Sequence, residues 1–249
     1  MAGRAFIGTS GYSYPHWRGI FYPQGLRTSE WLQYYSWHFQ TVELNNPFYR
    51  LPTASAFEGW RKGTPPGFVF AVKASRFITH IKRLKDPEVS VGLFLERASG
   101  LREKLGPVLF QLPPSWPFNA SRLEGLLRYL RRQSIVRRLR AALEVRHKSW
   151  LDSKAFTLLE EAGVALCFAD WPDLPVEGPV TADFVYLRRH GPASLYSSSY
   201  SEEALAEEAR KMKGWLKKGL DVYIYYNNDA YGYAIENALR LKALITSSP

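Results

Sequence analysis

The chain has 249 residues, one cysteine and a net charge of +10. This length suits one barrel-sized unit with a sizeable core. No apolar stretch approaches the roughly 20 residues that cross a bilayer, and Cys167, alone and inside an apolar run, excludes an internal disulfide or a cysteine-rich metal site and reads as an inert core thiol.

The N-terminus lacks a secretory pattern, since its apolar run at 5–8 is too short, and a cytoplasmic protein is expected. The basic excess admits a polyanion partner. Much of it, however, sits in Arg128, Arg131, Arg132, Arg137, Arg138 and Arg140, and in Lys211, Lys213, Lys217 and Lys218. These lie on or beside predicted outer helices, where charge runs are usually solvated faces.

Eight short apolar runs, read as strands, punctuate the chain at 5–8, 41–44, 68–72, 107–112, 141–145, 164–169, 183–187 and 221–226. Between the first two, Thr28 or Ser29 can cap a helix through Trp31, Leu32, Tyr35 and Phe39. Thr53 opens a short helix that stops at Gly63. After the third run comes a basic loop from Arg76 to Lys85, and then Asp86 and Pro87 in cap and first-turn order. Asn119 or Ser121 opens the next helix, and Gly163 suits the end of the one after that. The proline-rich connection at 171–179 leaves room for a short helix or none. Ser201 or a neighbour caps a long helix ending near Gly219, and a last helix follows the eighth strand.

Eight strands alternating with helices predict a single α/β domain over 1–249, a (β/α)8 barrel of the TIM type. An open doubly wound sheet also alternates. No glycine-rich phosphate loop follows any strand, and the strand count suits closure. In a closed barrel the C-terminal strand ends build the site. Strand alternation tests which side chains point there. Glu43 and Asn45 share one parity, as do Glu144 and Arg146; Lys73 follows Val69 and Ala71; Tyr186, Arg188 and His190 alternate together, as do Tyr225 and Asn227. With helices packed outside, these charged series point inward, to the axis and mouth.

The residues Gly8–Tyr12 with Tyr14, Trp17, Gly19 and 21–23 form an opening signature, continued by Thr41–Asn45 with Phe48 and Tyr49. Further matches are Phe70–Ser75 with Thr79 and His80, Gln111 with Pro113 and Pro114, Glu144–His147 with Trp150, Asp170, Tyr186–Arg188 with His190, and Tyr226–Asp229. In order and over nearly the whole chain, the sequence resembles the family catalogued as domain of unknown function 72. Tyr12 departs from the pattern, standing where Trp is common. The resemblance implies a (β/α)8 barrel and supplies no activity.

From the residues themselves, Glu43 and Glu144 form the best general acid/base pair, because environment can drive two carboxylates apart in pKa; Asp170 joins them as a third catalytic candidate. Lys73, Arg76, Arg146 and Arg188 could hold a phosphate or carboxylate. Gln111 and Asn227 would orient neutral oxygens, and Ser10, Tyr12, Asn45 and His190 complete the expected binding set. The bland reading is a buried ion network of Glu43, Lys73, Glu144, Arg146 and Arg188 that orders the barrel, although such networks are weak devices for stability. Glu144, His147, Asp170 and His190 could hold a divalent metal, but His147 has the wrong parity, so no metal ligand is assigned and the cofactor stays unknown. His16, Trp17 and His80, and most rim aromatics including Trp116 and Trp150, read as packing.

The leading expectation is an enzyme, a hydrolase or lyase, acting on an anionic, phosphate-bearing substrate, either a small ligand or nucleic acid reached through the basic loop. A carbohydrate isomerase or glycosidase and a non-catalytic ligand-binding barrel are the alternatives, and fold does not decide among them.

Overall fold

The computed structural model describes residues 2–133, 139–171 and 173–246. Arg137 and Arg138 lie outside them. Strands β1 (Ala5–Thr9), β2 (Thr41–Leu44), β3 (Val69–Lys73), β4 (Leu105–Gln111), β5 (Ala141–Glu144), β6 (Ala165–Trp171), β7 (Leu174–Val176), β8 (Phe184–Arg189) and β9 (Asp221–Tyr226) alternate with helices α1 (Trp31–His38), α2 (Asn46–Tyr49), α3 (Ala54–Lys62), α4 (Pro87–Ala98), α5 (Ala120–Arg131), α6 (Ser153–Ala162), α7 (Glu202–Lys217) and α8 (Tyr233–Thr246). Hydrogen-bonded neighbours run β1-β9-β8-β6-β5-β4-β3-β2, all parallel, while β7 pairs antiparallel with β6. This is a nearly closed eight-stranded TIM-like barrel. The short β7 hairpin occupies the connection where a helix was expected to be short or absent.

The helix signals largely hold. Thr53, Asn119 and Ser201 each accept a backbone N–H at a helix start, and Gly163 closes α6 in the left-handed region. Two expected caps differ. A short turn at Thr28–Glu30 precedes α1, so neither Thr28 nor Ser29 caps it. Asp86 precedes α4 with φ +47° and without a side-chain cap, so Pro87 alone marks that start.

The parity argument holds throughout. Ala71, Leu109, Ala142, Cys167, Tyr186 and Tyr225 pack inside the barrel, while Val42, Leu44, Val72, Val145 and Leu187 pack outward against the helices. Cys167 is fully buried, and burial raises its thiol pKa well above the usual value, which makes it inert. At the lower end the Phe6 and Tyr223 rings stack at 4.5 Å. Arg140 closes that end, bound to Asp221 at 2.6 Å and to the Tyr223 hydroxyl at 3.0 Å. Arg140 is therefore a barrel plug rather than part of a solvated face; Arg128, Arg131, Arg132, Lys211, Lys217 and Lys218 are exposed as expected.

Closure between β1 and β2 is achieved differently from the other seven junctions. Only the upper tip pairs directly, through the Gly11 N–H to the Glu43 carbonyl at 2.8 Å. Lower down, the buried Tyr35 hydroxyl from α1 enters the seam. It accepts from the Thr9 N–H at 3.0 Å and donates to the Thr41 carbonyl at 3.1 Å. Gly8 lets the strands approach: a Cβ there would sit 2.4 Å from the Thr41 oxygen.

Candidate active site at the barrel mouth

The upper strand ends converge on Arg188, which is 1 % exposed and lies between Glu43 and Glu144, both 0 % exposed. The Arg188 guanidinium donates to both Glu43 oxygens at 3.0–3.2 Å and to Glu144 Oε2 at 2.7 Å. Glu144 Oε1 accepts from Arg146 Nε at 2.7 Å, and Glu43 Oε2 from the Tyr186 hydroxyl at 2.6 Å. Ser10 donates to Glu43 and accepts from Arg188 and the Asn45 amide, each at 2.9 Å. Two carboxylates and two guanidiniums thus alternate with opposite neighbours, the condition under which buried charges are tolerated. Burial opposes the charge on Glu144, but Arg146 and Arg188 outweigh it and hold its carboxyl well below the usual range. Arg146 also lies flat on Trp171, 3.7 Å from the ring centroid.

His190 is the next element of this cluster. Its Nε2 faces Arg188 Nη1 at 3.1 Å and Arg146 Nη2 at 3.4 Å, and its Nδ1 faces Asp170 Oδ1 at 3.3 Å. Two arginine donors on one ring nitrogen require a lone pair there, so the imidazole is neutral with its proton on Nδ1. Burial lowers the His190 pKa, and this prevails over the raising effect of Asp170. Asp170 also accepts from the His190 backbone N–H at 2.7 Å and from the Tyr200 hydroxyl. It orients His190 and borders a cavity of about 430 Å³ that shares no lining residue with the one above the charge cluster.

Above the charge cluster opens a cavity of about 1030 Å³, with Arg188 as floor. Tyr12, Tyr14, Tyr49, Trp60 and Tyr196 supply ring walls; Asn45, Lys73, Asn227, Asp229, Arg50 and Arg97 supply polar ones. Lys73 extends from the end of β3, half-buried, with its Nζ 4.1 Å from the Phe48 ring centroid. Burial first, and then repulsion from Arg188, pushes its pKa down to about 7. Nearby His80 is pushed down to about 4, by burial and by Lys73. Among the described residues, Lys73, Arg50 and Arg97 have no carboxylate within 4 Å; Arg97 instead reaches the Leu51 and Pro52 carbonyls at 3.3–3.4 Å.

Of the residues singled out from sequence, Tyr12, Asn45, Lys73, Arg188 and Asn227 line this cavity. Ser10, Glu43, Glu144, Arg146 and His190 form the network beneath or beside it. Gln111 is buried at the top of β4, in register with Glu144, and does not line the cavity. Arg76 is exposed and also stands outside the lining. His147 hydrogen-bonds Ser149 in its own loop, at 2.8 Å. Among the described residues, no three His, Cys, Asp or Glu side chains gather as a metal site. Trp116 and Trp150 pack on each other. Residues not anticipated are Arg50, Trp60, Arg97, Tyr196 and Asp229. Only Asp229 carried a signal, following the Asn pair that ends β9; the others come from helices or distal loops that strand-end reasoning does not reach.

A family model described as protein of unknown function DUF72 matches residues 6–249. The chain belongs to the DUF72 family. Among curated relatives, the UPF0759 protein YunF of Bacillus subtilis is 26 % identical over 261 residues, covering 90 % of this chain and 89 % of YunF. The UPF0759 protein YecE of Escherichia coli K12 is 31 % identical over 142 residues, covering 57 % of this chain and 48 % of YecE. Among solved structures, a DUF72 family protein of Thermotoga maritima superposes with TM-score 0.86 at 31 % identity, covering 98 % of this chain and 100 % of that one. A DUF72 protein of Enterococcus faecalis superposes with TM-score 0.81 at 21 % identity, covering 98 % and 96 %, and this likeness speaks to the fold alone. No described helix of this DUF72 protein is long and apolar enough to cross a membrane.

Proposed function

We propose that the mouth cavity binds a small organic anion, phosphate- or carboxylate-bearing, and that the protein is an enzyme acting on it. The observation that carries this reading is the charge of the cavity wall. Lys73, Arg50 and Arg97 line it without carboxylate partners, whereas the Arg188 and Arg146 charges are balanced below. Lys73 and Arg97 are partly buried there, where an unpaired cation is costly unless an anion visits it, while Arg50 stands exposed at the rim; arginine suits bidentate contact with phosphate or carboxylate. The volume of about 1030 Å³ is at the upper end for a small-molecule site. The tyrosine and tryptophan walls would pack the ligand's less polar body. In this reading Glu43 and Glu144 anchor the floor, because Arg188 and Arg146 occupy their oxygens, and catalytic work falls to cavity-lining groups.

Thermal-shift titration tests the reading. Sugar phosphates and short carboxylic acids should raise Tm on the order of 5 °C at a hundredfold excess over Kd. Arg50→Ala should cut that shift by more than half. Equal stabilisation by neutral sugars would overturn it. So would stabilisation by oligonucleotides alone, steeply salt-dependent and indifferent to Arg50→Ala, since that pattern belongs to the exposed basic loop around Arg76.

A further inference from the structure

We propose that Lys73 is an amine nucleophile that condenses with the carbonyl group of a small anionic aldehyde or ketone to form a covalent imine in the mouth cavity. The inference rests on the reading of this cavity as an organic-anion site and names the reactive group in its substrate. Three geometric observations converge on it. Lys73 is the last residue of β3 and shares inward parity with Val69 and Ala71, so its amine rises into the cavity rather than toward the helices. The amine lies against the Phe48 ring and makes no hydrogen bond or ion pair among the described residues. The anions nearest in the barrel top are already committed: both Glu144 oxygens are held by Arg146 and Arg188, and Glu43 by Arg188, Ser10 and Tyr186.

A lysine kept only for its charge would be expected in contact with a carboxylate or with bulk water. Here burial and then the Arg188 guanidinium work against the charge and prevail, although the Glu144 and Glu43 carboxylates and the Phe48 face favour it. A pKa lowered to about 7 is consistent with this environment and leaves a sizeable neutral fraction at physiological pH. Desolvation beside other cations is a recognised way of activating a lysine amine.

The step balances without a further reagent. The Nζ lone pair adds to the carbonyl carbon, the C–N bond forms, and the carbonyl π electrons move onto oxygen. A proton passes from nitrogen to that oxygen, giving a carbinolamine. A second proton on the hydroxyl lets it leave as water, and the nitrogen lone pair closes the C=N bond as a protonated imine. Asp229 lines the same cavity and is the acid that lends this second proton. The protonated imine then withdraws electrons from the neighbouring carbon, the requirement for carbon–carbon cleavage or proton loss beside a carbonyl. This chemistry belongs to a lyase of aldol type, with Arg50 and Arg97 receiving the substrate's anionic end.

The test is reductive trapping on the full chain. Dihydroxyacetone phosphate, pyruvate and glyoxylate are each incubated with the protein at neutral pH, and sodium borohydride is added. At least one should give a single adduct per chain, mapped by peptide mass spectrometry to Lys73 and absent in Lys73→Arg. In parallel, acetic anhydride labelling at neutral pH should modify Lys73 at least tenfold faster than the average surface lysine. Adducts spread over surface lysines and unchanged in Lys73→Arg would overturn the inference, as would no adduct with any probe together with ordinary labelling of Lys73. Calorimetric titration with dihydroxyacetone phosphate separates the two readings. If binding depends on Arg50 while no adduct forms, the imine fails and the anion site stands. If an adduct forms at Lys73 while binding ignores Arg50→Ala, the imine stands and the anion site fails.

Discussion

Arg188 holds the barrel top together through charge pairing that no single partner could supply. It lies 3.0 Å from Glu43 and 2.7 Å from Glu144, with all three side chains removed from water. Removing it strips Glu43 of its guanidinium partner and leaves Glu144 with Arg146 alone, and breaking a buried pair in this way costs about 3–5 kcal/mol. Arg188→Met should therefore lower Tm on the order of 10 °C, measured by calorimetry. Glu43→Gln should cost less, because the amide oxygen still accepts from Tyr186 and Arg188. A drop of under about 2 °C for Arg188→Met would show that the network contributes little to stability. The residue types of this cluster were legible in the sequence, and so was their direction, since a period of two leaves only one parity facing the axis. Their pairing was not. Nothing in the order Glu43, Glu144, Arg146, Arg188 says that one arginine would take both carboxylates while the other stacks on Trp171. The acid–base division expected of the two glutamates rests on environment driving their pKa values apart, and residue order does not say what their oxygens meet.

Among the elements, the β1–β2 seam is the least regular junction of the barrel. A side chain from α1 substitutes there for ladder hydrogen bonds, with the Tyr35 hydroxyl bridging Thr9 and Thr41. In Tyr35→Phe the Thr9 N–H and the Thr41 carbonyl would lose this partner in a buried seam, at a cost of about 1–3 kcal/mol. Thermal unfolding should register that loss, and the Thr9 amide should exchange its hydrogen faster than in the wild type. An unchanged Tm with unchanged Thr9 protection would mean that the strands close directly once the hydroxyl is gone. Tyr35 was read from sequence as one apolar position in an amphipathic helix, which it also is. The hydroxyl's task depends on a gap between two strands that are adjacent only because six other strands complete the circuit. The β7 hairpin shows the same limit: a proline-rich connection could be recognised, but not the antiparallel pairing with β6.

Over the whole molecule, several groups, buried or half-buried, bind protons less readily folded than unfolded. His190, His38 and His80 are lowered below the ordinary 6.5, each first by burial. As pH falls through that ordinary value, the unfolded chain takes up protons that the folded chain refuses, so stability is lost. Glu144 and Asp170, lowered by their partners despite burial, add a further loss below the usual carboxylate range. Asp229, raised by burial, works in the opposite sense as one group against several. Tm should therefore climb from about pH 4 to about pH 7. His190→Gln should make the upper part of the slope shallower. A flat profile over that range would contradict the assignment of a neutral His190 between two arginines.

The sequence by itself determined the architecture and the inward polar ring. Strand period, helix caps and strand count are local properties, and each is written in contiguous residues. Place in an apolar strand run also sufficed to make Cys167 a core thiol. The tertiary structure decided which charges neutralise one another and which remain to face a ligand. That depends on distances between strand ends far apart in the chain, and on Arg50, Arg97, Trp60 and Tyr196, which reach the mouth from outside the strand tips. An ion pair is fixed by a few ångströms and by burial, and neither quantity is carried by residue order.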